Sequence, residues 1–352
     1  MSGEVHEAAH ESLYRDITKG NVMLDTTFLR FVAILLITNS HLDKLYPVSA
    51  MATGGQLGNS LFFMLSGFGL AASYRKKGDV FGPWLQRRLT RIYPPVLLVT
   101  LTGALLTGAV FKWGGRDYLL HLLWPTEYWF IAAIVCFYIP FYWLMTHRSK
   151  SVFLWLIVFL YVPYFYFYLT ALDLSRFSVE DGYFKWIFYF QVMLLGGFLA
   201  YRDDAARLFI PANWNLVMLV FLIAVYFAIK LFIAKNVLTE YQFVLHVLTF
   251  PIMVASLHTM HTRVIKQTLM QSAAAPYISL VAGATLEIYL LQKYVYGNPW
   301  ILSLPFPFNI IVFWPIVILG AILIARLSAK GNRFISMKLQ SYSLPILGRT
   351  PK

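Results

Sequence analysis

The chain has 352 residues, of which 59% are hydrophobic and 17% aromatic, and its mean hydropathy is +0.63. A water-soluble domain is about 45–50% apolar, so this composition excludes an ordinary soluble protein and predicts an integral membrane protein. Cys136 is the single cysteine, which excludes an intramolecular disulfide and a cysteine metal cluster. The formal net charge of +13 would suit a nucleic-acid partner, unless membrane topology accounts for it.

The first 22 residues are polar and lack the basic start and apolar core of a secretory signal, so we expect the first apolar stretch to remain as a membrane span. Stretches of the roughly 20 apolar residues that a span needs then recur, with only short polar joints. A β-barrel is disfavoured because these stretches are apolar throughout rather than alternating. We predict an all-α integral membrane bundle of about ten transmembrane helices at 24–42, 57–74, 92–111, 122–144, 152–172, 184–201, 214–234, 242–260, 275–296 and 307–325.

The lysine and arginine residues distribute unevenly over the two sides of this predicted topology. With the N-terminus inside, 20 of them fall on the inner side and eight on the outer side, and Arg30 lies within a span. This is the asymmetry of the positive-inside rule, which predicts that both termini are cytoplasmic. Topology then accounts for most of the net charge, and we predict no nucleic-acid partner.

The first span carries an ionisable residue near each end. Arg30 and His41 are eleven residues apart, close to three helical turns, so a continuous helix would place both on one face about 16 Å apart along its axis. An ionisable group inside a span is costly and indicates a function. The alternative is that Arg30 extends back to the lipid headgroups and that His41 is an ordinary interface residue.

The second predicted span contains GNSLFFMLSGFGL at residues 58–70. Its glycine and serine residues allow close helix packing, which is a sufficient explanation for them. Ser66 lacks the G-x-S-x-G setting of a nucleophile elbow because Met64 occupies the first glycine position, so a nucleophilic role is disfavoured.

The third motif is GPWLQRRLTRIYPP at residues 82–95. Pro83 suits a first helical turn, and Pro94 and Pro95 are expected to bend or end the helix. The motif therefore predicts a short interfacial helix, on which Arg87, Arg88 and Arg91 share one side. We call these three residues the arginine ridge. They would anchor the inner interface, or they would bind phosphate groups, which guanidinium groups hold in pairs of hydrogen bonds.

The other candidate functional residues have weaker support from the sequence. Glu127 and Glu287 lie in apolar surroundings, where each could be neutral, paired or catalytic. HEAAH at residues 6–10 matches a zinc-protease pattern, but it lies in a short polar tail without a third ligand, so we predict no metal site.

Together these motifs resemble acyltransferase family 3, a family of multi-pass membrane O-acyltransferases that act on cell-surface glycans. YWFIAAIVCFYIP at 128–140 and IYLLQ at 288–292 look like two further spans of that family. The residues that match the three main family motifs are Arg30 and His41; Phe62, Phe63, Leu65, Ser66, Gly67 and Phe68; and Arg87, Arg88, Arg91, Ile92 and Pro94.

The resemblance implies transfer of an acyl group, in the first instance acetyl, from cytoplasmic acyl-CoA to a hydroxyl of a surface polysaccharide or lipid-linked glycan, without a metal. It implies that the arginine ridge of Arg87, Arg88 and Arg91 binds the phosphates of acetyl-CoA and that His41 is the general base. Arg30 would balance charge on the donor or orient it. Supporting roles fall to Ser66, Glu127, Glu287 and Tyr289.

The chain departs from the family pattern at two positions. Gln292 stands where the family often has histidine, and Glu287 where a small residue is more common, so no role is transferred to Gln292. The polar chain ends and the positive-inside asymmetry predict a cytoplasmic tail at 1–22 and a basic cytoplasmic tail at 328–352. Between them we predict a transmembrane domain at 23–327, which the resemblance implies is an acyltransferase domain of the inner (plasma) membrane.

Two other functions are weighed against acyl transfer. A transporter or flippase of a lipid-linked glycan would use a similar set of helices, but no second copy of either motif indicates an internal repeat. A sensor or scaffold that carries out no chemistry is the third hypothesis. The acceptor sugar, the length of the acyl group and the oligomeric state are left open.

Overall fold

A computed structural model of the chain describes residues 26–78, 80–124, 128–147, 151–201, 212–261 and 272–342. The HEAAH pattern and Glu127 lie outside these ranges. The described ranges contain helices and no strand, which confirms the predicted all-α class. Their α-helices are α1 Thr27–Asn39, α2 Gly55–Lys77, α3 Phe81–Leu106, α4 Gly115–Tyr118, α5 Trp129–Thr146, α6 Ser151–Thr170, α7 Phe184–Tyr201, α8 Ala212–Ala234, α9 Phe243–His261, α10 Ala275–Gly283, α11 Thr285–Tyr296, α12 Pro299–Ser303 and α13 Phe308–Tyr342.

Many of these helices have the length and composition of membrane spans. Within the described ranges, seven are long and apolar enough to cross a bilayer. Helix α1 is apolar but has only 13 residues, and the 23 residues of α2 include more polar ones. A multi-pass membrane protein is therefore supported, while the count of about ten spans and the cytoplasmic termini stay predictions. The seven are α3, α5, α6, α7, α8, α9 and α13.

The helix that carries the arginine ridge is longer than the sequence predicted. We expected a short interfacial helix that Pro94 and Pro95 would bend or end, but α3 continues through both prolines to Leu106. The prediction of a separate short helix is therefore wrong. A proline removes one backbone donor from the helical ladder, and packing can outweigh that loss. Pro95 and the following Val96 are both buried.

The predicted span at 275–296 is also divided. Helix α10 ends at Gly283 and α11 begins at Thr285, with Ala284 outside helical geometry between them. Each helix is too short to cross a bilayer alone. The second helix, α11, carries the IYLLQ stretch.

The described residues form two compact units. The first comprises those within Met1–Ala33, Gln56–Gly78 and Phe141–Ser279, and the second those within Ile34–Gly55, Asp79–Pro140 and Leu280–Lys352. In the first unit, α6 packs on α7, α8 packs on α9, and α7 contacts α9. Helices α2 and α7 approach backbone to backbone. A Cβ atom at Gly67 would overlap the carbonyl of Met193, and one at Gly196 would overlap that of Met64. The glycine of the SGF motif thus has a packing role.

In the second unit, α11 packs on both α3 and α13, and α3 also packs on α13. The ring of Tyr294 fills the space beside Gly103, so α3 and α11 are in close contact there. Nearer the start of α3, Trp84 is fully buried, and its ring stands nearly perpendicular to that of Tyr138 at a centroid distance of 5.7 Å. Helix α3, which carries the arginine ridge, is therefore packed against α11 through Gly103 and against α5 through Trp84.

Candidate active site

His41 lies just beyond the first helix rather than within it. Helix α1 ends at Asn39, and His41 stands in a turn where its backbone N–H donates to the carbonyl of Thr38 over 3.0 Å. The predicted three-turn spacing from Arg30 therefore holds only as far as Asn39. The side chain of His41 is exposed, which leaves the imidazole accessible to a substrate.

Asn39 ties the segment after α1 back to the end of the helix. Its Nδ2 donates to the carbonyls of Met51 and Thr53, each over 2.9 Å, and its Oδ1 accepts from the hydroxyl of Tyr46 over 2.6 Å. Burial raises the pKa of the Tyr46 phenol, which keeps that donor protonated. One amide therefore closes the loop that presents His41.

A second amide holds the same loop from another helix of the second unit. The Nδ2 group of Asn309, at the start of α13, donates to the carbonyl of Leu45 over 2.7 Å. Both Asn309 and Leu45 are buried, so this hydrogen bond is shielded from water. The loop after α1 is therefore held by hydrogen bonds from two asparagine side chains, those of Asn39 and Asn309.

Tyr296, the last residue of α11, lies against His41. The two rings are nearly parallel, with an interplanar angle of 8° and a centroid distance of 6.1 Å. The carboxylate of Asp43 acts electrostatically on the phenol of Tyr296, so Asp43 also lies near this ring pair. The imidazole thus has an aromatic neighbour that limits its orientations.

The arginine ridge presents two exposed members and one that is partly buried. Arg87 and Arg91 are exposed, whereas the guanidinium of Arg88 lies over the ring of Trp84, 5.7 Å from its centroid. Arg88 and Arg91 both act electrostatically on the phenol of Tyr138, so they point towards the same side of α3. Exposed, clustered guanidinium groups are suited to a polyphosphate.

Helix α11 links the ridge to His41 inside the second unit. Near its start, the carboxyl of Glu287 interacts electrostatically with Arg91, and its last residue, Tyr296, stacks on His41. Glu287 and Tyr296 are nine positions apart on this helix, which corresponds to a rise of about 14 Å. The arginine ridge and the imidazole of His41 therefore lie beside opposite ends of α11.

The middle of α11 is lined by aromatic contacts. Tyr289 lies 5.5 Å from the ring of Phe130 and 6.1 Å from that of Tyr128, and the ammonium of Lys293 lies over Tyr128 at 5.9 Å. Gln292 is buried, and its Oε1 has no hydrogen-bond partner among the described residues. These contacts place Tyr289 in the same unit as His41 and the ridge.

Two other predicted site residues belong to the first unit. Arg30 is partly buried in the first turn of α1, and Ser66 is partly buried on α2. Their catalytic roles stay predictions. Glu127 lies outside the described residues.

Three residues around His41 are not among those predicted from the sequence: Asn39, Asn309 and Tyr296. Asn39 is the one with a local signal, because asparagine at the end of an apolar helix is a common cap. Asn309 and Tyr296 reach the loop only through tertiary contacts, so no sequence pattern points to them.

The chain is similar to one known protein family. A sequence model of acyltransferase family 3, described as an acyltransferase domain, matches residues 24–329, a range that contains the three motifs. The chain matches no curated protein and no solved structure.

Proposed function

The chain belongs to acyltransferase family 3, and we propose that it is a membrane O-acetyltransferase that uses acetyl-CoA to modify a surface polysaccharide or a lipid-linked glycan. Family membership supports a membrane acyltransferase. The observation that carries the finer proposal is the course of α11 from Arg91 to His41, because a long donor needs a binding end and a reacting end that are far apart.

The arginine ridge is the proposed binding end. The phosphates of acetyl-CoA would be held by Arg87 and Arg91, whose exposed guanidinium groups can form paired, charge-assisted hydrogen bonds. Arg88 would add charge from its position over Trp84. In the predicted topology this end faces the cytoplasm, where acyl-CoA is made available.

His41 is the proposed general base at the reacting end. Its imidazole would accept the proton of the acceptor hydroxyl as that oxygen attacks the thioester carbonyl carbon. The new bond is the C–O bond of the ester, and the bond that breaks is the C–S bond of the donor. Coenzyme A leaves as the thiolate and takes the proton back, so the products are the O-acetyl glycan and free coenzyme A.

Arg30, Ser66, Glu287 and Tyr289 have supporting parts in this proposal. Arg30 would orient the donor or balance its charge, and Glu287 would limit the net positive charge around Arg91. Tyr289 would line the course of the donor along α11 through its contacts with Phe130. The proposed location is the inner (plasma) membrane, with the acceptor modified from the outer side.

The test is acetyl transfer by the purified protein in lipid nanodiscs, with radiolabelled acetyl-CoA and extracted surface glycans. His41→Ala should lose about 10²- to 10⁴-fold in rate, the usual contribution of a general base, while acetyl-CoA binding is retained. His147→Ala is the matched control, because that exposed histidine has no part in the proposed site. Full activity in His41→Ala would overturn the role of His41. Glycan movement across vesicles without acetyl-CoA would instead indicate a flippase.

A further inference from the structure

One end of the first unit is closed by the connections between its helices. The hydroxyl of Tyr168, near the end of α6, donates to the carbonyl of Glu240 over 2.7 Å. Gln242 Oε1 accepts from the backbone N–H groups of Ser178 and Val179 over 2.8 and 3.0 Å. The segment at 171–183 is therefore held in place at the end where α8 ends and α9 begins.

Hydrogen-bonded polar side chains lie beneath this end, among apolar helices. The hydroxyl of Tyr226 donates to Gln56 Oε1 over 2.9 Å, and Gln56 Nε2 contacts Thr249 Oγ1 at 3.5 Å. Asn59 forms a side-chain hydrogen bond with the phenol of Tyr189. Both tyrosines are 1% exposed, so the network is shielded from water and rigid.

Glu180 brings a carboxylate to this network. Its charge acts on the phenols of both Tyr189 and Tyr226, which places the three groups together. Burial raises the pKa of the Glu180 carboxyl, and the ammonium groups of Lys230 and Lys185 oppose that rise. Placing an ionisable group beside two buried phenols is costly, which is more typical of a binding site than of packing.

Asn59 adds an unsatisfied acceptor. Its Oδ1 atom is buried and has no hydrogen-bond partner among the residues that the structure describes. A buried acceptor without a donor is destabilising, and a ligand that donates a hydrogen bond would relieve it. Asn59 Oδ1 and the Glu180 carboxylate are both acceptors, so the ligand that fits them carries several donors.

The charges at this end indicate an uncharged ligand. Residues 171–185 and 230–242 together carry four acidic and four basic side chains, so neither an anion nor a cation is favoured overall. The acids are Asp173, Glu180, Asp181 and Glu240, and the bases are Arg176, Lys185, Lys230 and Lys235.

We propose that Gln56, Asn59, Glu180, Tyr189 and Tyr226, the Glu180 cluster, form the acceptor site, which binds the hydroxyl groups of an uncharged sugar. Asn59 Oδ1 and the Glu180 carboxylate accept from the hydroxyls, and the phenols and Gln56 hold them in place. This inference rests on the proposed function, because it identifies the class of acceptor.

The test is saturation-transfer NMR on the full-length protein in nanodiscs with three uncharged probes: methyl α-D-glucopyranoside, methyl α-D-mannopyranoside and methyl α-D-galactopyranoside. At least one should bind to the wild type. Glu180→Gln and Asn59→Ala should weaken its binding about tenfold. The first exchanges one carboxylate oxygen for an amide donor and removes the negative charge, and the second removes the acceptor Oδ1 altogether. Glu240→Gln is the matched control, since it changes an exposed carboxylate at the same end.

The outcomes separate this site from the proposed function. Unchanged binding in both cluster variants, or binding of none of the three probes to the wild type, would overturn the acceptor site. If sugar binding depends on Glu180 but the wild type neither binds acetyl-CoA nor transfers acetate, the proposed function fails and the site stands. If transfer depends on His41 while Glu180→Gln leaves the acceptor KM unchanged, the site alone fails.

Discussion

The imidazole of His41 and the phenol of Tyr296 lie nearly parallel, with ring centroids 6.1 Å apart. Tyr296 ends the helix that starts beside Arg91, so this contact connects the proposed base to the helix that passes the arginine ridge.

Tyr296→Ala should lower the acetyl-transfer rate by up to about tenfold, because an aromatic neighbour that restricts the imidazole is lost. Acetyl-CoA affinity should not change, since the phosphates bind elsewhere. The measurement is kcat together with donor binding in the same preparation. Tyr296→Phe retains the ring and serves as the control, with a rate within about twofold of the wild type. A Tyr296→Ala enzyme with the wild-type kcat would show that the ring pair is irrelevant.

Asn39→Asp should open the loop that carries His41. The carboxylate still accepts from Tyr46, but it cannot donate to the carbonyls of Met51 and Thr53. We expect a loss of about 1–3 kcal/mol in the free energy of unfolding and faster hydrogen exchange at residues 40–54. Hydrogen exchange read by mass spectrometry checks this. Exchange in the loop equal to that of the wild type would argue against the amide as its closure.

Gly67→Ala and Gly69→Ala should have opposite effects, although both lie on α2. A Cβ at Gly67 would overlap the backbone of Met193, whereas nothing lies within 4 Å of a Cβ at Gly69. Gly67→Ala should therefore cost about 1–3 kcal/mol or more through overpacking. Gly69→Ala should be neutral or stabilising by up to about 1 kcal/mol through helix propensity. Thermal unfolding in detergent distinguishes them, and equal melting temperatures would contradict the close helix crossing.

Arg91→Ala should weaken acetyl-CoA binding about tenfold at low salt, because charge-assisted hydrogen bonds to phosphate are lost. The difference from the wild type should shrink at high salt, where exposed charges are screened. Arg116→Ala is the control, since that arginine is exposed in the same unit but outside the ridge. Wild-type affinity of the Arg91→Ala variant for acetyl-CoA at low salt would show that the arginine ridge serves only as a membrane anchor.

Glu287→Gln should change the affinity for acetyl-CoA in the opposite direction to Arg91→Ala. The carboxylate of Glu287 interacts with Arg91, and its removal leaves more positive potential for the phosphates of the donor. Acetyl-CoA titrations at low salt should therefore show tighter binding. Weaker binding would mean that Glu287 orients Arg91 rather than offsetting its charge.

The sequence predicted the elements that depend on composition and local spacing. Long apolar stretches such as Phe184–Tyr201 are helical because a span must satisfy its own backbone, and that requirement is visible in composition. The SGF motif was correctly linked to close packing, and the structure identifies the backbone of Met193 as its partner.

The features that depend on tertiary contacts were not predictable. Helix α3 continues through Pro94 and Pro95, where local rules favour a bend or an end. The contact of Tyr296 with His41 joins residues about 250 positions apart, so no periodicity indicates it. The spacing of Arg30 and His41 predicts a shared face only on a continuous helix, but the helix ends at Asn39.

The most direct test of the central claim is to map where the acyl end of the donor lies when its phosphates are bound. An acyl-CoA with a photoreactive acyl group would be irradiated on the wild-type protein, and the labelled peptides would be identified by mass spectrometry. We predict labelling within residues 39–46 and at the end of α11, and loss of that labelling when Arg91 is replaced by alanine. Labelling confined to other segments would contradict the placement of the reacting end at His41.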